Sequence, residues 1–190
     1  MTALMMFAFA HDLDTDKTRI EVDGVRLNRV HSERVVDASP EAVWAELSDY
    51  ANVHQISASI VDSGLTDEST TELGLGCERY CALEFQGRDI YIEETIVSFN
   101  EGQNYTYEVT DWENYPLKKM FVTFGVDVND AGETVVYNIV DYRLAPPLMT
   151  GLMKGAMTQS TLTSVLAYKH VTETGETGMD PDVLVDLYTE

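Results

Sequence analysis

The feature that most constrains the fold of this chain is a long stretch in which apolar and polar residues alternate at every second position. Period two is typical of strands that have one covered face. Pro146 and Pro147 end the alternation, and about 25 residues up to Thr172 then carry apolar residues at helical spacing. This order predicts an α+β domain in which a curved antiparallel sheet wraps around a long C-terminal helix. The alternating runs cover residues 77–85, 90–96, 105–110, 120–128 and 134–144.

Two short helices are expected near the N-terminus, before most of the sheet. Ser39, Pro40 and Glu41 combine a good N-cap, a residue that fits the first helical position and an acid that complements the helix dipole. Residues 53–56 are expected to form a second short helix or a turn. Because 190 residues suffice for one domain of roughly 150 residues, we predict one domain with two appendages. The division is an N-terminal extension (1–28), a ligand-binding domain (29–173) and an acidic C-terminal tail (174–190).

The charge of the chain excludes several partners. Its 12 basic and 33 acidic residues give a net charge of −21, and no Lys or Arg run is present. Nucleic acid and anionic lipid surfaces both require clustered cations, so we expect neither as a partner. The acidity fits either adaptation to high salt or an ordinary acidic cytoplasmic protein. No apolar stretch approaches the ~18 residues of a transmembrane helix, so we expect a soluble protein without stable membrane insertion.

The cysteine and histidine residues predict neither a disulfide nor a metal site. Cys77 and Cys81 lie four positions apart on one predicted strand, which places them roughly 13 Å apart. This distance is beyond the reach of a disulfide. The four histidines have no companion at metal-ligand spacing, so we expect no metal and no other cofactor.

The first ten residues, MTALMMFAFA, leave two possibilities open. Their small-x-small ending resembles a secretory cleavage site, but a basic n-region is absent and the apolar stretch is short. The segment is either the remainder of a signal peptide, which would imply export, or an apolar N-terminus of a cytoplasmic protein. We expect the second.

The alternation also predicts which side chains face the interior. In residues 120–128 one face carries only apolar side chains, whereas the other includes Thr123, Gly125 and Asp127. We expect the apolar face to be the interior one. We treat Tyr107 as a candidate on the same side, although it is either an ordinary sheet aromatic or part of a cavity wall. Met153 is either core filler or an adaptable ligand contact. The candidates for ligand contact are Arg79, Glu94, Tyr107, Val122, Phe124, Tyr137, Ile139, Asp141 and Met153.

Three of these candidates are ionisable residues on faces that are otherwise apolar. The apolar parity of the strands carries Arg79, Glu94 and Asp141 inward. Burying an unpaired charge is costly, so each should pair, hold water or meet a polar group of a ligand. Arg79 and Glu94 therefore form either a plain internal ion pair or the polar end of an otherwise apolar binding pocket.

Four segments in a fixed order resemble a known superfamily. They are "VVDASPEAVWAELSDYANVHQI", "LGLGCERYCAL", "EETIVSF" and "TVVYNIVDYRLAPP". Between about residues 30 and 172 the chain resembles the helix-grip superfamily, which includes START domains, polyketide cyclases/dehydratases, pollen-allergen-like proteins and abscisic acid receptors. The resemblance implies a cavity between the sheet and the long helix that holds a hydrophobic small molecule. It does not imply one reaction, because such folds include both carriers and enzymes.

The resemblance also assigns two residues. The Arg of the "GCxR" motif falls on Arg79, and the acid of the following "E-x-L/I" motif falls on Glu94. In the hormone-receptor branch these positions contact the polar end of the ligand directly or through water. This chain departs from that branch at Gln86-Gly87-Arg88, a turn too short for a gate loop.

We expect a monomeric or weakly dimeric module that sequesters or carries a lipid, polyketide or isoprenoid. A second hypothesis is a metal-free cyclase or dehydratase in which Glu94 or His54 moves protons and Arg79 stabilises an enolate. A third is an interaction protein with a filled pocket whose acidic tail binds a basic partner.

The charge predicts a response of stability to salt. Self-repulsion at −21 should be screened as the Debye length falls to about 3 Å at 1 M salt. We therefore expect the thermal midpoint to rise between low and molar KCl, as followed by circular dichroism. A midpoint that stays constant over this range would contradict adaptation to salt.

Overall fold

The computed structural model describes residues 11–85 and 87–189. The apolar segment 1–10, whose role the sequence left open, lies outside the described residues. The strands are β1 (Arg19–Val22), β2 (Val25–Val35), β3 (Ile60–Leu65), β4 (Glu78–Phe85), β5 (Arg88–Asn100), β6 (Asn104–Glu113), β7 (Leu117–Val128) and β8 (Thr134–Leu144). The helices are α1 (Pro40–Ser48), α2 (Val53–Ile56), α3 (Pro147–Leu152), α4 (Lys154–Thr174) and α5 (Pro181–Tyr188).

The strands form one antiparallel sheet of eight strands in the order β1-β2-β8-β7-β6-β5-β4-β3. Six consecutive strands, β3 to β8, make a meander, and β2 adds to its far edge beside β8. The sheet is open and curved, and its concave face holds the long helix α4. The predicted α+β helix-grip architecture is therefore confirmed.

The two short N-terminal helices also form as expected. The Ser39 hydroxyl accepts a hydrogen bond from the Ala42 amide at 3.3 Å, and Pro40 occupies the first position of α1. Val43 and Leu47 are the fully buried residues of α1. The Ser-Pro-Glu signal thus starts a helix whose apolar side packs on the concave face.

Two predicted boundaries differ from the structure. The expected single C-terminal helix is interrupted at Met153, between α3 and α4, where Gly151 and Gly155 flank the break and lower the local helix propensity. The gap left at 111–119 between two of the alternating runs is only 114–116 in the structure, because β6 continues to Glu113 and β7 begins at Leu117.

Around β8 both faces of the sheet are buried. The main core lies between the concave face and helices α1 and α4. A second, small core lies on the convex face and contains Ile20, Val22, Leu27 and Phe121. The convex side chains of the β1–β2 hairpin thus form a small apolar cluster with Phe121 of β7 in the same sheet.

The prediction that Tyr137, Ile139 and Asp141 face the interior is wrong. Asn138 and Val140 line the concave side of β8 instead. The Tyr137 ring lies over Gly125 on the convex side, where a Cβ at Gly125 would come within 2.3 Å of it. The run V-V-Y-N-I-V-D-Y is apolar at both parities because both faces of β8 are covered, so alternation could not identify the inner one.

Asp141 belongs to a buried ionic cluster on the convex face. Arg29 donates from Nε to Asp141 Oδ1 at 2.8 Å and from Nη2 to Oδ2 at 2.7 Å, a two-point contact. His11 Nε2 lies 2.8 Å from the same Oδ2. Arg29 also donates to the carbonyl oxygens of Asp12 and Asp14. The cluster therefore fastens the segment before β1 to the back of the sheet.

Part of the segment expected to be an acidic tail packs on the domain as α5. Leu184 of α5 is buried, and the Tyr188 hydroxyl lies 2.9 Å from Nδ1 of His170 on α4. Asp180 caps α5 by accepting from the amides of Asp182 and Val183. Within the described residues, no helix combines the length and hydropathy needed to cross a bilayer.

The convex cluster predicts a large cost for removing its carboxylate. Asp141→Ala would leave the buried Arg29 unpaired and should lower the free energy of unfolding by about 3–5 kcal/mol. Asp130→Ala, at an exposed turn residue, should stay within about 0.5 kcal/mol of the parent. Denaturant unfolding measures both, and similar values for the two variants would contradict the role of the cluster.

Candidate functional site: an internal cavity

A cavity of about 210 Å³ lies between the concave face of the sheet and α4. Strands β4 to β8 form its floor, α2 and the segment after it form one rim, and α4 forms the roof. Its wall is mainly apolar and includes Ile60, Leu83, Ile90, Ile92, Met120 and Val122. Such a surface removes apolar groups of a ligand from water.

The cavity is elongated along α4. The α4 residues that line it extend from Ala156 to Tyr168, which corresponds to about 18 Å of helix. The exposed Ser160 and the residues Ser59 and Ile60 mark the open end. Tyr168 and Asn138, both buried, mark the closed end.

Arg79 and Glu94 supply a buried ion pair in the cavity wall. They are direct cross-strand partners on β4 and β5, and only 2% and 3% of their surfaces are exposed. Arg79 donates from Nε to Glu94 Oε2 at 2.5 Å and from Nη1 to the Tyr50 carbonyl oxygen at 2.6 Å. Burial alone would lower the pKa of Arg79, but the adjacent Glu94 carboxylate raises it well above its usual value. The guanidinium is therefore a permanent charge.

Tyrosine rings surround this cation. The Arg79 guanidinium carbon lies 3.9 Å from the centroid of the Tyr50 ring and 5.0 Å from that of Tyr107. Burial raises the pKa of Tyr107 well above its usual value, so its hydroxyl remains a neutral donor. A cation beside a phenolic donor can hold a carbonyl oxygen of a ligand or stabilise the negative charge on an oxyanion.

The structure brings five predicted contact residues to the cavity. Arg79, Glu94, Tyr107, Val122 and Phe124 all line it. Met153 is partly buried against the main core and is not part of the lining. Tyr137, Ile139 and Asp141 lie on the opposite face of the sheet, as described above.

His54, the other catalytic candidate, lies beside the cavity and does not line it. Its neighbours Val53 and Ile56 do. The Ser63 hydroxyl donates its proton to the Ala51 carbonyl oxygen at 2.8 Å. The contact of 2.8 Å between His54 Nδ1 and Ser63 Oγ therefore requires His54 to be the donor. This fixes the orientation of the imidazole ring and ties α2 to β3.

Asn138 and Tyr168 are lining residues that the sequence interpretation missed. Asn138 was assigned to the outer face by the incorrect register of β8. Tyr168 follows Thr161 and Val165 at seven and three positions, spacing that is also typical of a simple core helix. An isolated Asn within an apolar strand was the available signal, because such a residue costs stability unless it has a polar partner.

Acidic residues are absent from both segments that form the rim of the cavity. Residues 142–172, which include α3 and most of α4, carry no Asp or Glu, and neither do residues 50–61. These two segments therefore contribute no negative charge to the cavity entrance. In the described part of the chain, no three His, Cys, Asp or Glu side chains are grouped so as to hold a metal ion.

Comparison with a family model identifies a match over residues 28–167, and that family is described as polyketide cyclase / dehydrase and lipid transport. No curated protein matches the chain.

Solved structures show the same fold at low identity. An aromatase/cyclase from a Streptomyces species has a TM-score of 0.63 and 15% identity, over 77% of this chain and 94% of that one. A major latex-like protein from Panax ginseng has a TM-score of 0.58 and 15% identity, over 78% and 98%. A START superfamily protein from Mycobacterium smegmatis has a TM-score of 0.57 and 16% identity, over 73% and 94%.

The cavity predicts an unreactive thiol at Cys81. Cys77 and Cys81 are both free and buried, and burial together with the nearby Glu94 raises the pKa of Cys81 to about 12. Only about 0.01% of this thiol would be thiolate near pH 8. In a Cys77→Ser variant, reaction with a chromogenic disulfide reagent should be slow and should accelerate about tenfold per pH unit from pH 7 to 10. A plateau near pH 9, as for an ordinary thiol, would contradict this environment.

Proposed function

Given that the chain belongs to the polyketide cyclase / dehydrase and lipid transport family, we propose that it binds and carries a hydrophobic small molecule in the cavity beneath α4. The ligand would be of lipid, polyketide or isoprenoid type. One observation carries this proposal: an elongated apolar cavity contains a buried ion pair and a phenolic donor in its wall.

The composition of the wall sets the ligand chemistry. Apolar side chains on β4, β5 and β7 would cover the body of the ligand, and Arg79 with Tyr107 would bind one oxygen of it. The cavity of about 210 Å³ is below the about 300–1,000 Å³ that drug-sized ligands occupy. The ligand is therefore compact, or α4 moves outward as it enters.

A second candidate function is cyclase or dehydratase chemistry, and the placement of Glu94 favours it. Glu94 is a carboxylate in the cavity wall whose Oε2 accepts from Arg79. A substrate carbonyl polarised by Arg79 and Tyr107 would lie close to it, so that Glu94 could remove an adjacent proton. The likeness to an aromatase/cyclase is in keeping with this alternative.

We further propose a monomer or weak dimer that acts in the cytoplasm. Its two buried, unpaired thiols suit a reducing compartment.

Native mass spectrometry of freshly purified protein tests the binding function directly. We expect a bound mass that disappears on denaturation and reappears in an organic extract. If no such mass is found, phenylnaphthylamine, an apolar dye that fluoresces when it leaves water, should still bind. Absence of both signals would contradict the proposal.

The Arg29–Asp141 pair on the convex face provides a matched control for the Arg79–Glu94 pair on the concave face. Arg79→Ala leaves the buried Glu94 carboxylate without its ion-pair partner and should lower the free energy of unfolding by about 3–5 kcal/mol. Arg29→Ala leaves the buried Asp141 with His11 as its remaining partner and should also lower it. Glu94→Gln and Asp141→Asn are the corresponding conservative changes.

Only the variants at Arg79 and Glu94 should weaken binding of the co-purified ligand per folded molecule, by about tenfold or more, because Arg79 holds an oxygen of that ligand. The variants at Arg29 and Asp141 should bind as the parent does. If all four variants bound the ligand with equal affinity, the Arg79–Glu94 pair would contribute to stability alone.

A further inference from the structure

The closed end of the cavity contains a buried amide oxygen that accepts no hydrogen bond from the described residues. Asn138 is 1% exposed, and its Oδ1 has no hydrogen-bond partner within residues 11–85 and 87–189. An unmade hydrogen bond of this kind is a substantial cost to the folded protein. Because Asn138 lines the cavity, a ligand at this end lies against its side chain, and a small displacement of the neighbouring side chains would expose its Oδ1.

The Tyr168 hydroxyl lies at the same end. Neither this hydroxyl nor that of Tyr105 has a hydrogen-bond partner among the described residues. Burial raises the pKa of Tyr168 to about 12, so its hydroxyl is protonated and can donate.

Phe124 brings these two groups together. It is the direct cross-strand partner of Asn138 on β7 and β8, and its ring centroid lies 5.2 Å from that of Tyr168. Cross-strand partners have Cβ atoms about 4.5–5.5 Å apart. An amide acceptor and a phenolic donor thus flank one aromatic ring.

We propose that Asn138 and Tyr168 form a second polar subsite, which binds a hydroxyl group on the leading end of an otherwise apolar ligand. A hydroxyl fits because it can donate to Asn138 Oδ1 and accept from the Tyr168 hydroxyl at the same time. This inference rests on the proposed binding function and narrows its ligand to an alcohol or a phenol.

The subsite is distinct from the ion pair. Asn138 lies on β8 and Glu94 on β5, so three strand spacings, about 14 Å of sheet, separate their backbones. A ligand that satisfies both carries one polar group at each point and apolar atoms between them.

Isothermal titration calorimetry with naphthol and methylnaphthalene, substituted at the same ring position, tests the subsite. The two probes have nearly the same size and differ in one hydroxyl. The parent protein should bind naphthol about tenfold more tightly. Asn138→Leu and Tyr168→Phe should each remove most of this preference and leave the affinity for methylnaphthalene unchanged or improved.

Asn104→Leu is the matched control. Asn104 is also a buried asparagine, but its Oδ1 accepts from Asn100 Nδ2 at 2.9 Å and it is the partner of Gly125, on the convex side. This variant should keep the parent's probe preference and lose stability. Asn138→Leu should raise the denaturant midpoint of the unliganded protein or leave it unchanged, because it removes an unpartnered polar group.

The possible outcomes distinguish the proposal of a polar subsite from the proposal of a binding function. Equal affinity of the parent for both probes, or a preference that survives Asn138→Leu, would overturn the subsite while leaving apolar binding intact. A strong loss of stability in Asn138→Leu would also overturn it, because the amide would then serve the fold. Failure of both probes to bind the parent would contradict the binding function itself, and with it the subsite.

Discussion

The cost of burying charge shapes this molecule. Arg79 and Glu94 are almost completely removed from water, and each is tolerated only because the other lies beside it and the Tyr50 carbonyl accepts a further hydrogen bond. The pair is placed in the wall of a cavity and not in solid core. A polar point inside an apolar enclosure is the simplest basis for binding a mostly apolar ligand in one orientation.

A second buried ion pair, on the other face of the sheet, is stabilised in the same way but serves the fold. The buried Arg29–Asp141 pair, joined by His11, lies under the segment before β1, away from the cavity. The Arg29–Asp141 pair therefore supports the fold from the convex side, while the Arg79–Glu94 pair is available to a ligand on the concave side. An eight-stranded curved sheet that buries residues on both faces has room for both roles.

The architecture could be predicted from the sequence because turns, period-two strands, the Ser39 cap and the final helix all indicate the same fold. Arg79 and Glu94 were also placed correctly, since their strands are apolar at one parity only. The inward face of β8, the last strand, could not be identified in this way. The second face of this strand is packed against the segment before β1, through His11 and Arg29, a long-range contact that no local pattern reveals, and so Asp141 was predicted inside and Asn138 outside.

Methyl NMR during a ligand titration tests the central claim, that the ligand binds between the concave face and α4. With naphthol as the ligand, the largest shifts should occur at the methyl groups of Val122 and Val140, which line the cavity. The methyl groups of Ile139 and Leu27, which belong to the convex side, should change little. Shifts concentrated on Ile139 and Leu27, with Val122 and Val140 unaffected, would contradict the account.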